Sequence, residues 1–171
     1  MKLIDIVGNT PLPLTYRIAF ITNFYREPLL RRMERESGLI RPEWTVLICL
    51  AYRDGLNPRD ICEITEQPSN TVSRGVAALE SRGLISRRPD PDDARRGLLF
   101  IEPTGRELHQ KVMALFVAAE AEMTSRLSPQ ERDELVRILD KMCRDVPRWQ
   151  KLPPYREPRE VTERASSDKP G

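Results

Sequence analysis

Cysteine is scarce in this chain, and the three present, Cys49, Cys62 and Cys143, are far apart. No CxxC pair occurs, so neither a disulfide framework nor a thiolate zinc centre is indicated. Each sits on an apolar helical face, which reads as a buried, unreactive thiol. Histidine is scarcer still: His109 is the only one. One imidazole cannot build a zinc site without Cys or carboxylate help at matching spacing, and no such spacing is visible. Long apolar runs are also absent. Nothing approaches the ~20 residues of a membrane helix. The start, MKLIDIVGNTPLP, lacks the h-region of a secretory leader. Cytoplasmic location, no membrane contact, no metal and no cofactor are the resulting expectations.

Charge of one sign is lacking too. Lysine and arginine number 28 against 26 acidic residues, for a net charge of +2. Global charge therefore does not announce nucleic acid, and any basic site must be local. Catalytic signatures are missing: no GxGxxG, no P-loop, no HExxH, and no nucleophile beside a base in recognisable context. The chain does not read as an enzyme.

What is present is helical periodicity. The 171 residues suit one domain of ordinary size, or a core with an appendage. Residues 1–11 form a loose arm. From Leu12 the apolar positions Leu14, Ile18, Ile21 and Tyr25 recur at helical steps, with Gly38 as a stop and a kink expected where Pro28 interrupts. A second helix opens at Pro42 and runs to Gly55. A short third begins after Asn57 with Pro58 in its first turn, Ile61 and Ile64 facing inward. Ser69 is a plausible cap for a fourth, whose stripe is Val72, Val76 and Leu79 and whose end is Gly83. LISRR and GLLFIE are β-prone runs across a polar, proline-containing connection and read as a hairpin. Pro103 opens a long fifth helix carrying Leu108, Val112, Leu115, Ala119 and Met123. SPQE at 128–131 is a capping box for the last, which should stop before Pro147. Residues 148–171, rich in proline and charge, read as a disordered tail.

The order α-α-α-α-β-β-α-α, with room for a third short strand, is mainly α, and its middle is a winged helix-turn-helix. In that arrangement the second helix of the pair enters the DNA major groove. The fourth helix suits the task. With its stripe inward, Asn70, Arg74, Ala77 and Ser81 face outward and Thr71 and Ser73 flank them. Small residues let a helix sit deep; Asn and Arg pair with adenine and guanine edges; Ser69, Ser73 and Thr71 hydroxyls reach phosphate. A merely solvated face would carry several Lys and Glu, and none precedes Glu80. The hairpin adds Arg87, Arg88, Arg95 and Arg96, and arginine at a hairpin tip fits a narrow, strongly negative minor groove. The bland alternatives are an ordinary amphipathic helix and solvated turn charges. A winged helix used for protein contacts, without DNA or ligand control, is the rival function.

Three stretches resemble the MarR family of bacterial transcription regulators. SNTVSRGVAALESRGLISR is similar to the family's recognition helix and its exit into the wing. DARRGLLFIEPTGREL resembles its wing pattern, Asp-x-Arg-(Arg)-x-x-x-x-Leu-Thr-x-x-Gly. GLIRPEWTVLICLA resembles its lead into the second helix. The likeness spans about residues 12–147. Two departures stand out: Ile101-Glu102 replaces the Leu-Thr pair, and Ala94 stands where the family often has a base.

The resemblance implies an intertwined helical homodimer, with residues 12–37 and 104–147 as dimerisation region and 38–103 as winged DNA-binding domain. It implies a regulator, more often a repressor, binding a pseudo-palindromic operator in double-stranded DNA. Asp93 would position Arg95 for the groove, with Arg96 on phosphate. It also implies release by a small aromatic carboxylate, phenol or thioester. Candidate liners are Tyr16, Arg17, Phe20, Phe24, Trp44 and His109, since an arginine beside aromatics suits a ring carboxylate. Taken singly, each is more readily an ordinary core or interface residue.

Overall fold

The structure is a computed structural model, and it describes residues 5, 8, 10–91, 93 and 97–149. The elements in order are α1 (Thr15–Ser37), α2 (Arg41–Tyr52), α3 (Pro58–Thr65), α4 (Ser69–Ser81), β1 (Ile85–Pro89), β2 (Gly97–Ile101), α5 (Pro103–Met123), α6 (Pro129–Arg144) and α7 (Val146–Trp149). The chain divides into two units, residues 1–126 and 127–171.

Helix α1 begins at Thr15, three residues late, because Pro13 supplies no donor and fixes its own φ. Its helical run is continuous through Pro28. Pro28 is exposed, so water can take the one carbonyl left without a partner. Helix α2 stops at Tyr52, short of Gly55, where Arg53 turns extended (φ −151°). The chain has to straighten there to reach β2. Gly55 N–H donates to the Leu99 carbonyl at 2.9 Å and Leu99 N–H to Leu56 at 2.8 Å. The third strand is thus a single bridge, Leu56 to Leu99.

Asn57 caps α3 as its sequence suggests. Its side chain accepts from the backbone of Arg59 and Asp60, while Asp60 accepts from Asn57 N–H at 2.9 Å. Ile61 is fully buried, but Ile64 is 56% exposed and does not face inward. Its position is turned some 60° round the helix from Ile61, beside Tyr52 and Leu56 in a shallow surface recess. In α4 the cap position falls to Pro68, whose carbonyl accepts from Thr71 and Val72, and Ser69 is the first helical residue. The helix ends in a Schellman turn: Leu84 N–H reaches Leu79 and Gly83 N–H reaches Glu80, with Gly83 left-handed at φ +64°.

The strands pair antiparallel from Ile85 opposite Ile101 to Pro89 opposite Gly97. The core lies where α2, α4, the hairpin and α5 meet: Val46, Leu47, Leu50, Val72, Val76, Leu79, Leu99 and Val112 are all essentially inaccessible. Each such side chain contributes roughly 1.5–3 kcal/mol by leaving water. Within α5, Val112 is buried, Leu108, Leu115 and Ala119 are half-buried and Met123 is exposed. The start of α5 is pressed onto the strand exit. Glu102 N–H and the Thr104 hydroxyl donate to the Leu84 and Gly83 carbonyls.

In the second unit, Ser128 and Glu131 form the reciprocal capping box, Glu131 N–H donating to Ser128 Oγ at 3.2 Å and Ser128 N–H to Glu131 at 2.8 Å. The Ser128 hydroxyl also donates to the Glu131 carboxylate at 3.0 Å, and the two bonds it accepts from Ser128 draw the Glu131 carboxyl below its ordinary pKa. Helix α6 buries none of its residues, and Cys143 on it is exposed, not the expected buried thiol. Helix α6 stops at Arg144, before Pro147 as expected, and Pro147 itself lies in the first turn of the short α7.

A methyl group on Gly105 would stand 2.1 Å from the Leu84 carbonyl oxygen. Gly105→Ala is therefore expected to destabilise the first unit by about 3 kcal/mol or more, read as a lowered urea midpoint at unchanged slope.

Candidate nucleic-acid interface

With Val72, Val76, Leu79 and Gly75 buried, the roll of α4 is set, and the opposite face is open. Ser69, Asn70, Ser73, Arg74, Ala77 and Ser81 are exposed, and Thr71 is half-buried on the flank. Arg74 lies along the helix, its Nε donating to the Asn70 carbonyl at 3.3 Å. No acid interrupts this face before Glu80. Gly75 is the residue that lets α4 come this close to α2: an added Cβ would meet the Pro42 carbonyl oxygen at 3.1 Å. A glycine inside a helix costs about 1 kcal/mol against alanine, which is the sequence signal that a close approach was there to be found.

The two described wing arginines are both held. Arg87 pairs with Glu80, Nε to Oε1 at 3.0 Å and Nη2 to Oε2 at 3.4 Å. This fork ties the recognition helix to the first strand of the wing. Arg88 places its guanidinium carbon 4.4 Å over the Phe100 ring and lies 3.8 Å from Glu102. Both side chains remain partly exposed. Asp93 is half-buried. Arg95 and Arg96, and with them the expected pairing of Asp93 with Arg95, lie outside the described residues. Glu80 went unnoticed as a wing anchor because its partner is seven residues away in a different element.

The six candidate ligand contacts do not form one site. Phe20 and Phe24 lie ring against ring at 4.6 Å, tilted by 36°, and line an open groove of about 500 Å³. Ile21, Tyr25 and Leu29 continue it along α1, and Ala119 and Met123 close it from α5. Arg32 and Glu122 are the charged residues that line it. Trp44 and His109 belong elsewhere, stacked on each other at 5.3 Å, with Phe116 on Trp44 at 5.3 Å and Tyr52 edge-on to His109 at 5.6 Å. Tyr16 is 46% exposed, and Arg17 turns back onto the Pro13 carbonyl. Periodicity put aromatics on inward faces but could not say which faces meet.

Among the described residues no group of three or more His, Cys, Asp or Glu is placed to hold a metal ion. No helix among the described residues is long and apolar enough to cross a membrane. Cys49 is half-buried, and desolvation raises its thiol pKa, which keeps it protonated.

A short helix, a tight turn, a reading helix and a two-stranded wing define a winged helix-turn-helix protein. The comparisons agree. The profile of the MarR family matches residues 37–96. An HTH-type transcriptional repressor of Mycobacterium bovis is 30% identical over 111 residues, which cover 63% of this chain and 78% of the relative. The transcriptional regulator HosA of Escherichia coli is 25% identical over 122 residues, 71% of this chain and 90% of its own. The crystal structure of a MarR family transcriptional regulator from Silicibacter pomeroyi superposes with TM-score 0.70 at 25% identity, covering 85% of this chain and 97% of that one. A putative MarR regulator from Listeria monocytogenes, solved with a 26mer DNA, has the same fold at TM-score 0.70 and 19% identity, over 78% and 88% of the two chains. The chain belongs to the MarR family of transcriptional regulators.

His109 is 7% exposed, and among the described residues its Nε2 finds no hydrogen-bond partner. Burial, and secondarily the Arg106 charge, hold its pKa below the ordinary value of 6.5. The unfolded chain thus takes up a proton that the folded one resists, so stability is full above about pH 6.5 and declines as pH falls below it. Replacing the ring by phenylalanine should flatten that decline. Melting temperatures of wild type and His109→Phe between pH 7.5 and 5.5 measure it; parallel curves would rule it out.

Proposed function

We propose that this protein is a sequence-specific DNA-binding transcription regulator, a repressor, acting as a homodimer on a pseudo-palindromic operator. The observation that carries the reading is the outward face of α4: small, polar, free of acid for three turns, and bearing Arg74. Asn70 and Arg74 read base edges; Ser69, Thr71 and Ser73 contact phosphate; Ala77 permits close approach. The wing, with Arg87, Arg88, Arg95 and Arg96, lies along the adjacent minor groove, and Asp93 orients Arg95.

A dimer is supported by apolar surface that a single copy leaves open. Leu14 just before α1, Ile21 and Phe24 on it, Val117 on α5, and Leu135 and Val136 on α6 are between 42% and 68% exposed. Solvated apolar surface of this extent is normally covered by a partner. Residues 12–37 and 104–147 would form the shared helical region and 38–103 the reading domain, with residues 1–11 and 148–171 as appendages. An aromatic carboxylate, phenol or thioester is the class of effector that would release DNA. The Phe20–Phe24 groove, with Arg32 in its lining, is the better-formed seat for one.

A gel-shift titration with palindromic duplexes tests the reading. Affinity should fall roughly a thousandfold between 50 and 200 mM salt, because phosphate neutralisation releases counterions. Weak binding to every duplex without sequence preference would instead favour a winged helix that contacts protein. Arg74→Ala should cost about 1–3 kcal/mol at one operator position and relax choice there; equal loss on all sequences would move Arg74 to phosphate. Arg95→Ala should weaken binding several-fold at unchanged thermal stability, and unchanged affinity would remove Arg95 from the interface.

A further inference from the structure

The corner where α1 turns into α2 is tied to the far end of the recognition helix, and base reading by α4 does not itself require that tie. Arg82 is the residue directly after α4. Its Nη1 donates to the Gly38 carbonyl at 3.2 Å and to Glu43 Oε2 at 3.2 Å. Its Nη2 donates to the Ser37 carbonyl at 3.1 Å. One guanidinium therefore closes the last carbonyls of α1 and meets the first-turn carboxylate of α2.

The acceptors are themselves fixed. Glu43 is 8% exposed and also accepts from Ile40 N–H at 3.2 Å. The Ser37 hydroxyl donates to the Met33 carbonyl at 2.7 Å and accepts from Leu39 N–H at 3.2 Å. Three helix ends meet on one planar cation. The planar fork meets these three acceptors from two nitrogens at fixed spacing, whereas a lysine ammonium would have to reach all three from one atom. Because Glu43 is nearly dry, the pair is screened far less than an exposed ion pair.

The rest of the fold gives this tie its consequence. Helix α4 is held within its own winged domain by Val72, Val76 and Leu79. Helix α1 packs chiefly on α5. Motion of the reading helix relative to α1 is thus resisted at the Arg82 corner. In a dimer built on α1, that corner governs how far apart, and at what angle, the two reading helices sit. Adding one base pair between half-sites moves the second about 3.4 Å along and about 34° round the duplex.

We infer that Arg82, acting through Glu43 and the C-terminus of α1, is a positioning residue that sets which half-site spacing the dimer reads. The inference rests on the DNA-binding dimer proposed above.

The test starts from duplexes selected out of a random pool by the wild-type full chain. The best palindrome is rebuilt with its spacer one base pair shorter, one longer and two longer, and affinities are measured by fluorescence anisotropy. Wild type should prefer one spacing by on the order of tenfold or more, since a dimer that cannot seat both halves loses its avidity. Arg82→Met should compress that preference to about threefold or less, with Arg82→Lys in between. Glu43→Gln, which keeps the side-chain shape and an acceptor for Ile40, should shift the profile the same way and serves if Arg82→Met folds poorly. An unchanged spacing profile in both variants, or equal weakening at every spacing, would overturn the inference. Failure of the wild type to enrich any palindrome would remove the dimeric reader, and the inference with it.

Discussion

Burying Val72, Val76 and Leu79 against α2 fixes the roll of α4, and that roll decides which side chains face outward. Three apolar side chains at roughly 1.5–3 kcal/mol each outweigh any preference the polar positions could express. Gly75 then removes the last obstacle by bringing the helix within backbone contact of Pro42. Everything downstream inherits this geometry: the Schellman turn at Gly83, the start of β1, and the place where α5 presses Gly105 onto Leu84.

The arginines divide into structural and available ones. Arg82 and Arg87 hold the recognition helix at its C-terminal side, one to the α1–α2 corner and one to the wing. Arg106 joins the start of α5 to Asp54 at 3.2 Å, and Asp54 also accepts from Ile101 N–H at 2.8 Å. Arg74 makes only a local backbone contact among the bonds within α4. A near-neutral chain therefore shapes its surface by local allocation: Glu43, Asp54 and Glu80 anchor arginines, and the outward face of α4 carries no acid before Glu80. Partly exposed pairs such as Glu80–Arg87 add at most about 1 kcal/mol, so their value is orientation more than stability.

The aromatic residues show the same economy. Trp44, His109 and Phe116 form a stacked column at the seam of α2 and α5, where their area stabilises the join between the winged domain and the long helix. Phe20 and Phe24 instead face an open groove. A buried imidazole with one nitrogen unpartnered among the described residues is a weak point in that column, since protonating it places a charge in an apolar setting.

Much of this was legible in the chain. Asn57-Pro58 and the Ser128–Glu131 box marked helix starts, Gly83 marked a stop, and the period-3.6 stripe of α4 marked its outward face, because these are local rules read over a few residues. Pro28 lies inside α1 without ending it: a proline on an exposed face removes one hydrogen bond and leaves a long helix continuous. Ile64 misled because a helix of two turns buries only what its neighbours cover. The Asp93–Arg95 pairing falls outside the described residues. What the sequence determined alone was element order, the caps at Asn57 and Ser128, and the inward stripe of α4, since those follow from backbone chemistry and side-chain periodicity. Only the tertiary structure decided that Glu80 would meet Arg87, that Arg82 would join three helix ends, and that six candidate liners would part into separate groups. Those pairings join residues from different elements, up to 65 positions apart in the case of Trp44 and His109, and no local rule encodes which faces come together.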